Sequence, residues 1–505
     1  MSLLRTKSID ALIQASEEPD KKLKRTLGPW SLTALGIGAV IGSGIFILTG
    51  TAAAGEQLSY KSILHAPVLD LILHGSQALS TSGRPGAGPG ISLSFLLTAF
   101  ACSFAALCYA ELASMIPIAG SAYTYAYATL GELIAWIIGW DLILEYAVSN
   151  MAVAVGFSAY LNDVLDNLFH WHLPPQWSNP PIAGGEFTGA WFNIAALIIL
   201  LVLTYILVIG VRESAGANNV MVLVKLGAIA IFVIGAAKAV NTANWHPFLP
   251  NGYSGMMTGA AIVFFTYIGF DSVSTAAEEC RRPQRDLPFG IIMTLVVCAI
   301  LYMSVALVLT GIQHWDTLNN AAPVANALKA LGYDGIRQWV SIGAIVGMVS
   351  SLLVFQYGQA RIWFAMSRDG LLPKAFSKLH PVHKTPHVST WIAGLVVGIP
   401  AGILDIGTFA DLANIGTLFA FIIVSVGVIV LRRTQPERPR GFRCPGSPWT
   451  PIISIVFCLV LMMGLPLETW VRFFVWLVIG LAIYFPFGRK HSTLAKEIKA
   501  GTSLR

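Results

Sequence analysis

Residues 35–50 read LGIGAVIGSGIFILTG. Gly36, Gly38, Gly42, Gly44 and Gly50 punctuate an otherwise apolar run. Each glycine weakens a helix by about 1 kcal/mol relative to alanine, and Gly42-Ser43-Gly44 concentrates that weakness around one serine. The run can span a bilayer, which puts this tripeptide at mid-membrane. Unwound backbone is tolerated there only where it lines a protein cavity. A half-helix restarting at such a break points free N–H groups and its positive dipole end into the cavity, which suits a carboxylate. The plainer reading is that the glycines only let helices pack closely. Glycine content alone does not separate the two.

A second stretch does. Residues 259–279, GAAIVFFTYIGFDSVSTAAEE, form another apolar span interrupted by one glycine, Gly269, with Asp271 two residues on. Breaks at corresponding places in two halves of a chain are the best sequence pointer to a carrier's site. Free carbonyls around Phe264, Phe265 and Ile268 suit an ammonium group. Donors on one side and acceptors on the other describe a pocket for an α-amino acid.

Working outward, a spanning helix needs ~20 mostly apolar residues. Twelve such runs occur, near 30–54, 90–114, 123–150, 188–210, 218–240, 255–277, 288–312, 338–362, 388–404, 410–431, 450–467 and 469–487. The ninth is short and the last two nearly fuse. No alternating strand pattern recurs, so the spans are helices. The composition agrees: of 505 residues 55% are hydrophobic and 11% charged, with a mean hydropathy of +0.69. Soluble chains carry about twice that charged fraction. A soluble multidomain enzyme, a disordered chain and a nucleic-acid binder are excluded.

Orientation follows from the basic residues. With the N-terminus inside, Lys61, Arg84, Lys238, Lys329, Arg337 and Arg472 face outward and Lys225 sits within a span. The other 25 of the 32 fall on the cytoplasmic side. The reading is a cytoplasmic segment (1–29), a first five-helix unit (30–240) and a second (255–431), two further helices (450–487) and a cytoplasmic tail (488–505). The first segment has no apolar core or cleavage site, so no cleaved signal is expected. An external insertion at 55–89 carries a short apolar stretch, SILHAPVLDLILHG, read as an interfacial helix or a cover. The loop at 161–187, with Trp171 and Trp177, marks the outer interface.

Ionisable residues inside spans are costly enough to imply a role. Lys225 lies midway along VMVLVKLGAIAIF, too deep to snorkel, and suits a coupling or structural cation or a packing salt bridge. Asp141 and Glu145 share one helix face; Glu145 is the deeper and suits proton exchange or a polar lock. Glu111, Glu278 and Glu279 fall at cytoplasmic ends. The six cysteines have no paired spacing and read as buried apolar residues. No phosphate loop or catalytic constellation appears. Neither a cofactor nor a metal is expected, His380, His383 and His387 included.

These residues resemble the amino acid–polyamine–organocation superfamily, most closely the bacterial branch of its cationic amino acid transporter family. Three stretches carry the likeness: GIGAVIGSGIF in the first span, FFTYIGFDSVSTAAEECRRPQRDLPFGI at 264–291 and YGQARIWFAMSRDGLLPKAF at 357–376. DLANIGTLFAFIIVSVGVIVLRRTQP at 411–436 supports them. The resemblance implies an all-α membrane protein of twelve helices, a five-plus-five inverted repeat with helices 1 and 6 broken, plus two. It implies proton-linked or exchange transport of L-amino acids. The substrate carboxylate would meet amides of Ser43 and Gly44, and the amino group carbonyls of Val40 or Ile41, Phe265 and Ile268. Phe265 would gate the site, and Glu145 would line its side-chain end. The family lysine matching Lys225 stands where sodium-coupled relatives bind sodium, which implies sodium independence.

Phe355 departs from the family. It matches a pocket-lining position and is bulky, so it should shorten the side-chain pocket and disfavour arginine and lysine. The expectation is an importer of small or neutral L-amino acids in the cell inner membrane, coupled to protons through Lys225, Glu145 and Asp271. The alternatives are a cationic amino acid exchanger and an amino-acid sensor. The expected partners are substrate, protons and lipid, with a small accessory membrane subunit left open.

Overall fold

In the computed structural model, residues 5–10, 12–13, 27–57, 62–75, 83–118, 120–183, 186–209, 215–383 and 385–500 are described. Lys61, Arg212, Lys384 and parts of the 55–89 insertion lie outside them. The principal helices are α1 (Pro29–Val40), α2 (Gly44–Ala54), α3 (Ile91–Met115), α4 (Ser121–Thr129), α5 (Glu132–Phe169), α6 (Ile194–Ile209) and α7 (Ala215–Ala236). They continue as α8 (Gly252–Val263), α9 (Pro283–Ile312), α10 (Asp334–Arg368), α11 (His387–Ala401), α12 (Ile406–Thr434), α13 (Trp449–Met463) and α14 (Leu467–Ile483).

Among the described residues eight helices are long and apolar enough to cross a membrane, and the bent pair α1 and α2 makes a ninth. The shorter apolar helices are α6, α11 and α13. This is an all-helical, multi-pass membrane architecture. Its burial pattern is the inverse of a soluble protein's. Leu223, Ile234, Phe474 and Val478 stand exposed, while Lys225, Asp141, Glu145 and Asp271 are buried. Helices satisfy their own backbone in lipid, so apolar side chains can face outward and polar ones must find partners within.

The long helices α5 and α10 pack along each other, as do α3 and α9. Helix α12 lies on α5 and α7 on α10, α6 pairs with α11, α1 packs on α9 and α8 on α3. Strands are minor. β1 (Gly55–Gln57) pairs antiparallel with β2 (Gly83–Pro85), matching Glu56 to Arg84, and Ile182–Ala183 pairs with Glu186–Phe187.

The structure differs from the sequence reading in the third span. Residues 121–129 form a separate helix, and Gly131 at φ 102° turns the chain into α5. Tyrosine and alanine make 121–129 as apolar as a span, so hydropathy reads through the turn. Helix α5 then runs 38 residues to Phe169, so 161–169 is helix rather than loop. Within the insertion Val68–His74 is a short helix with Ile72 and Leu73 exposed.

Candidate functional site

Both glycine-bearing segments are broken, and the breaks touch. Helix α1 ends at Ile41, whose N–H bonds back to the Ile37 carbonyl, and α2 restarts beyond Ser43 at 47° to it. The second segment runs through α8 and a tight turn Phe264–Tyr267, extends at Ile268, passes Gly269 at φ 117° and resumes at Phe270–Glu279. A Cβ on Gly44 would lie 3.1 Å from Cα of Thr266, and one on Gly269 would lie 3.1 Å from Cβ of Ala39. Glycine is therefore required at Gly44 by contact and at Gly269 by both contact and backbone. The Tyr302 hydroxyl on α9 sits 3.1 Å from the Val40 carbonyl and 2.8 Å from that of Thr266, tying the two breaks together.

The restart leaves donors. The first four N–H groups of a helix have no acceptor within it, and no side chain caps this one. The Ser43 hydroxyl is buried without a partner. Acceptors are distributed unevenly. The Ile41 carbonyl accepts from Lys225 Nζ at 2.9 Å, and Ser351 Oγ stands 3.1 Å from it. The Phe265 carbonyl accepts the Ile268 N–H at 3.2 Å and keeps one lone pair.

Lys225 projects from α7 into this junction and is fully buried. Its ammonium donates to the carbonyls of Gly38 (2.9 Å), Ile41 (2.9 Å) and Gly347 (3.4 Å). The Ser351 hydroxyl on α10 lies 3.0–3.2 Å from the same three oxygens. A cation held by three carbonyl oxygens occupies an oxygen ligand set of the kind a small hard metal ion takes.

Glu145, Asp141 and Asp271 form a buried acidic group beside the second break. Glu145 is close enough to both aspartates to interact with their charges. Glu145 Oε2 and both Asp141 oxygens have no hydrogen-bond partner among the described residues, and the Ser121 hydroxyl stands 3.5 Å from Asp271 Oδ2. Asp141 packs against Gly416, where a Cβ would sit 2.7 Å from Oδ1. The Tyr109 ring stands edge-on to Phe270, Tyr125 and Phe421, and its hydroxyl is also unpartnered. Phe264, Phe265 and Phe355 are buried, Phe355 edge-on to Tyr146 at 5.8 Å.

A cavity of about 820 Å³ opens at one end of the bundle, with Ile47, Thr51 and Val148 in its floor and Arg84, Phe409 and Asp411 in its walls. Val148 is one helical turn from Glu145, so the site lies beneath this vestibule. At the opposite end, ion pairs tie the N-terminal segment to the bundle. Arg5 donates to Glu132 at 2.9 and 2.6 Å, and Tyr127, Tyr484 and Ser492 donate to the same carboxylate. Lys7 and Tyr123 meet Asp369, each at 2.7 Å.

Sequence reasoning missed Tyr302, Ser351 and the Arg84–Asp411 pair. A lone tyrosine in AILYMSV and a serine in MVSSLLV were the available signals. His380, His383 and His387 come together, with ring centroids 4.7 and 5.2 Å apart, yet no group of three or more ligating side chains among the described residues is arranged to hold a metal.

A family model described as amino acid permease matches residues 27–484. The branched-chain amino acid permease BcaP of Bacillus subtilis (strain 168) is 47% identical, across 98% of this chain and 99% of its own length. The methylthioribose transporter of the same organism is 45% identical, across 98% and 100%. Cationic amino acid transporter 9, chloroplastic, of Arabidopsis thaliana is 33% identical, across 93% and 89%.

Proposed function

We propose that this chain, which belongs to the amino acid permease family, imports neutral L-amino acids, branched-chain ones foremost, by proton-coupled and sodium-independent alternating access. The observation that carries this reading is the pair of interlocked helix breaks. The restart at Ser43 and Gly44 offers N–H donors to a carboxylate. Carbonyls of Phe265 and Ile268 offer acceptors to an ammonium group, whereas that of Val40 already accepts the Gly42 N–H and that of Ile41 the Lys225 ammonium. Phe264, Phe265 and Phe355 make the remaining wall apolar and short, which suits valine, leucine or isoleucine better than arginine.

Lys225 stands where a metal ion's ligand set is assembled, which supports sodium independence. Glu145 and Asp271, buried beside the break and lacking a cationic partner there, are the groups to carry the proton. The pairing of α5 with α10, α3 with α9, and α12 on α5 as α7 on α10 repeats at an interval of five spans. That supports twelve spans in a five-plus-five inverted repeat, 30–240 and 255–431, with α13 and α14 added. The basic residues support cytoplasmic termini and a vestibule facing outward.

A second reading has a specific observation behind it. Ser43 Oγ, Ser149 Oγ and Glu145 Oε2 are buried and unpartnered, and a hydroxylated thio-sugar would engage them where leucine would not. Reconstituted liposomes with an acid exterior and no sodium separate the readings. The proposal expects accumulation of radiolabelled leucine, collapsed by a protonophore and competed by isoleucine and valine. Competition by methylthioribose alone favours the second reading. Arginine exchange without a gradient would point to a cationic exchanger, and binding without flux to a sensor. A requirement for sodium would refute the proposed role of Lys225.

A further inference from the structure

The external insertion supplies one buried charge, Arg84, and its surroundings give that charge two different attachments. The ends of the insertion are fused to the vestibule end of α2. β1 and β2 pair directly beyond it, and the Ala87 N–H donates to the Ala52 carbonyl at 2.9 Å. They are equally fused to the approach to α8, where Asn251 Nδ2 donates to the Gly86 carbonyl and the Gly90 N–H to that of Phe248, both at 2.8 Å. The ends of the insertion are therefore joined to the vestibule ends of the two broken segments, while its middle is held by the α13–α14 turn, Val68 N–H to the Leu465 carbonyl and Leu467 N–H to that of Ala66, both at 3.1 Å.

Arg84 sits on the body so joined, opposite Glu56 across the hairpin, and its Nε donates to Glu56 Oε2 at 2.7 Å. Its other arm leaves the body and donates to Asp411 Oδ1 on α12 at 2.9 Å. Only 5% of the side chain is exposed, although the residue follows a Ser/Thr/Gly-rich stretch of sequence. Burial works against the charge, and the carboxylates of Asp411 and Glu56 more than offset this, holding the guanidinium more firmly protonated than usual. A planar fork spanning two carboxylates is a job lysine does not duplicate.

We propose that Arg84 is the latch of the outer gate: its bond to Asp411 holds the ends of the insertion, α2 and the approach to α8 against α12 in the vestibule-open arrangement. The inference rests on alternating access as proposed above. An interaction made in one state and broken in another biases the equilibrium toward the first. Closing the vestibule over the site requires the α2 body to shift across α12, which breaks the Asp411 arm while the Glu56 arm travels with the body. Cutting the latch therefore depletes the vestibule-open state.

The test uses the full chain in liposomes with Thr51→Cys in the vestibule floor and a membrane-impermeant maleimide. The same protein without that substitution supplies the background of the buried native cysteines. Arg84→Gln and Asp411→Asn should each slow labelling at least fivefold, and the double variant should resemble either single one. Arg84→Lys should fall between. Substrate-induced thermal shifts in all variants show that they fold and bind. Labelling at the wild-type rate overturns the latch, and so do single effects that multiply in the double variant, since independent sites behave that way. Absence of uptake by the unsubstituted protein would refute the transport reading instead, and the labelling ratios would still report on the latch.

Discussion

Replacing Lys225 with methionine removes the ammonium while keeping an unbranched apolar stem against Gly347. Three buried carbonyls, of Gly38, Ile41 and Gly347, lose a donor at 2.9, 2.9 and 3.4 Å. Ser351 stands within 3.2 Å of all three but has one proton and serves one at a time. The Gly347 carbonyl lies inside α10 and keeps its intrahelical bond, so one carbonyl is left unsatisfied, at about 1–3 kcal/mol. Against this, the ammonium is fully buried among neutral oxygens. Its dehydration, which costs several kcal/mol even after relaxation, is returned when it is removed. The opposing quantities are similar, so the net change in stability is small, within about 3 kcal/mol in either direction. Function has no such compensation, because the charge at the junction is gone. Lys225→Met should melt within a few degrees of the parent in nanodiscs, still show a substrate-induced shift, and fail to accumulate leucine under a pH gradient. Sodium should not affect the parent protein. Accumulation at the parent's level by Lys225→Met would refute the coupling role and leave the lysine a structural peg.

Phe355→Ser should open the side-chain end of the pocket, making arginine compete with leucine uptake at least fivefold better; an unchanged competition profile removes Phe355 from the pocket. Gly44→Ala places a Cβ 3.1 Å from the Thr266 backbone, which cannot yield as a side chain can. It should abolish the substrate-induced thermal shift while leaving an intact monodisperse protein, and a retained shift would contradict the interlocked breaks. Glu132→Ala strips this acceptor from Arg5, Tyr127, Tyr484 and Ser492 and takes a carboxylate away from a largely buried guanidinium. Loss of a buried ion pair of this kind costs about 3–5 kcal/mol, readable as a lowered midpoint in thermal or denaturant unfolding.

The two breaks and Lys225 were legible in the sequence for a shared physical reason. A bilayer penalises unwound backbone and buried charge so strongly that each stands out against its neighbours without any knowledge of tertiary contacts. Glycine at Gly44 and Gly269 records a close approach, and a lysine inside VMVLVKLGAIAIF records a partner. The α4–α5 turn was illegible because SAYTYAYATLGE has no polar interval there, only Gly131 in a positive-φ conformation. Tyr302 and Ser351 were illegible for another reason. Each is an ordinary residue of an apolar helix until the fold brings it to the carbonyls of residues some 260 to 310 positions away. Arg84 fell between these cases. Its charge was counted as a topology signal, yet its burial depends on a hairpin that only the folded insertion creates.

The two ends of the bundle handle charge differently from its centre, and the alternating access proposed here gives a reason. At the vestibule end a single arginine joins Glu56 to Asp411 through two arms. At the other end Arg5 and Lys7 of the N-terminal segment grip Glu132 and Asp369, each also held by tyrosine hydroxyls. Both networks draw their cations from segments outside the long helices, which can withdraw without unfolding a span, and their carboxylates from helix ends or adjoining turns. Charge pairs of this kind can be broken and remade at moderate cost, because the separated groups meet water when the end opens. Lys225 has no such exit. It sits in the middle of α7 with its donors committed to backbone carbonyls, and no opening of either end carries it to water. A cation fixed at the pivot and cations detachable at both ends are what a carrier needs if its centre is to hold shape while its ends open in turn.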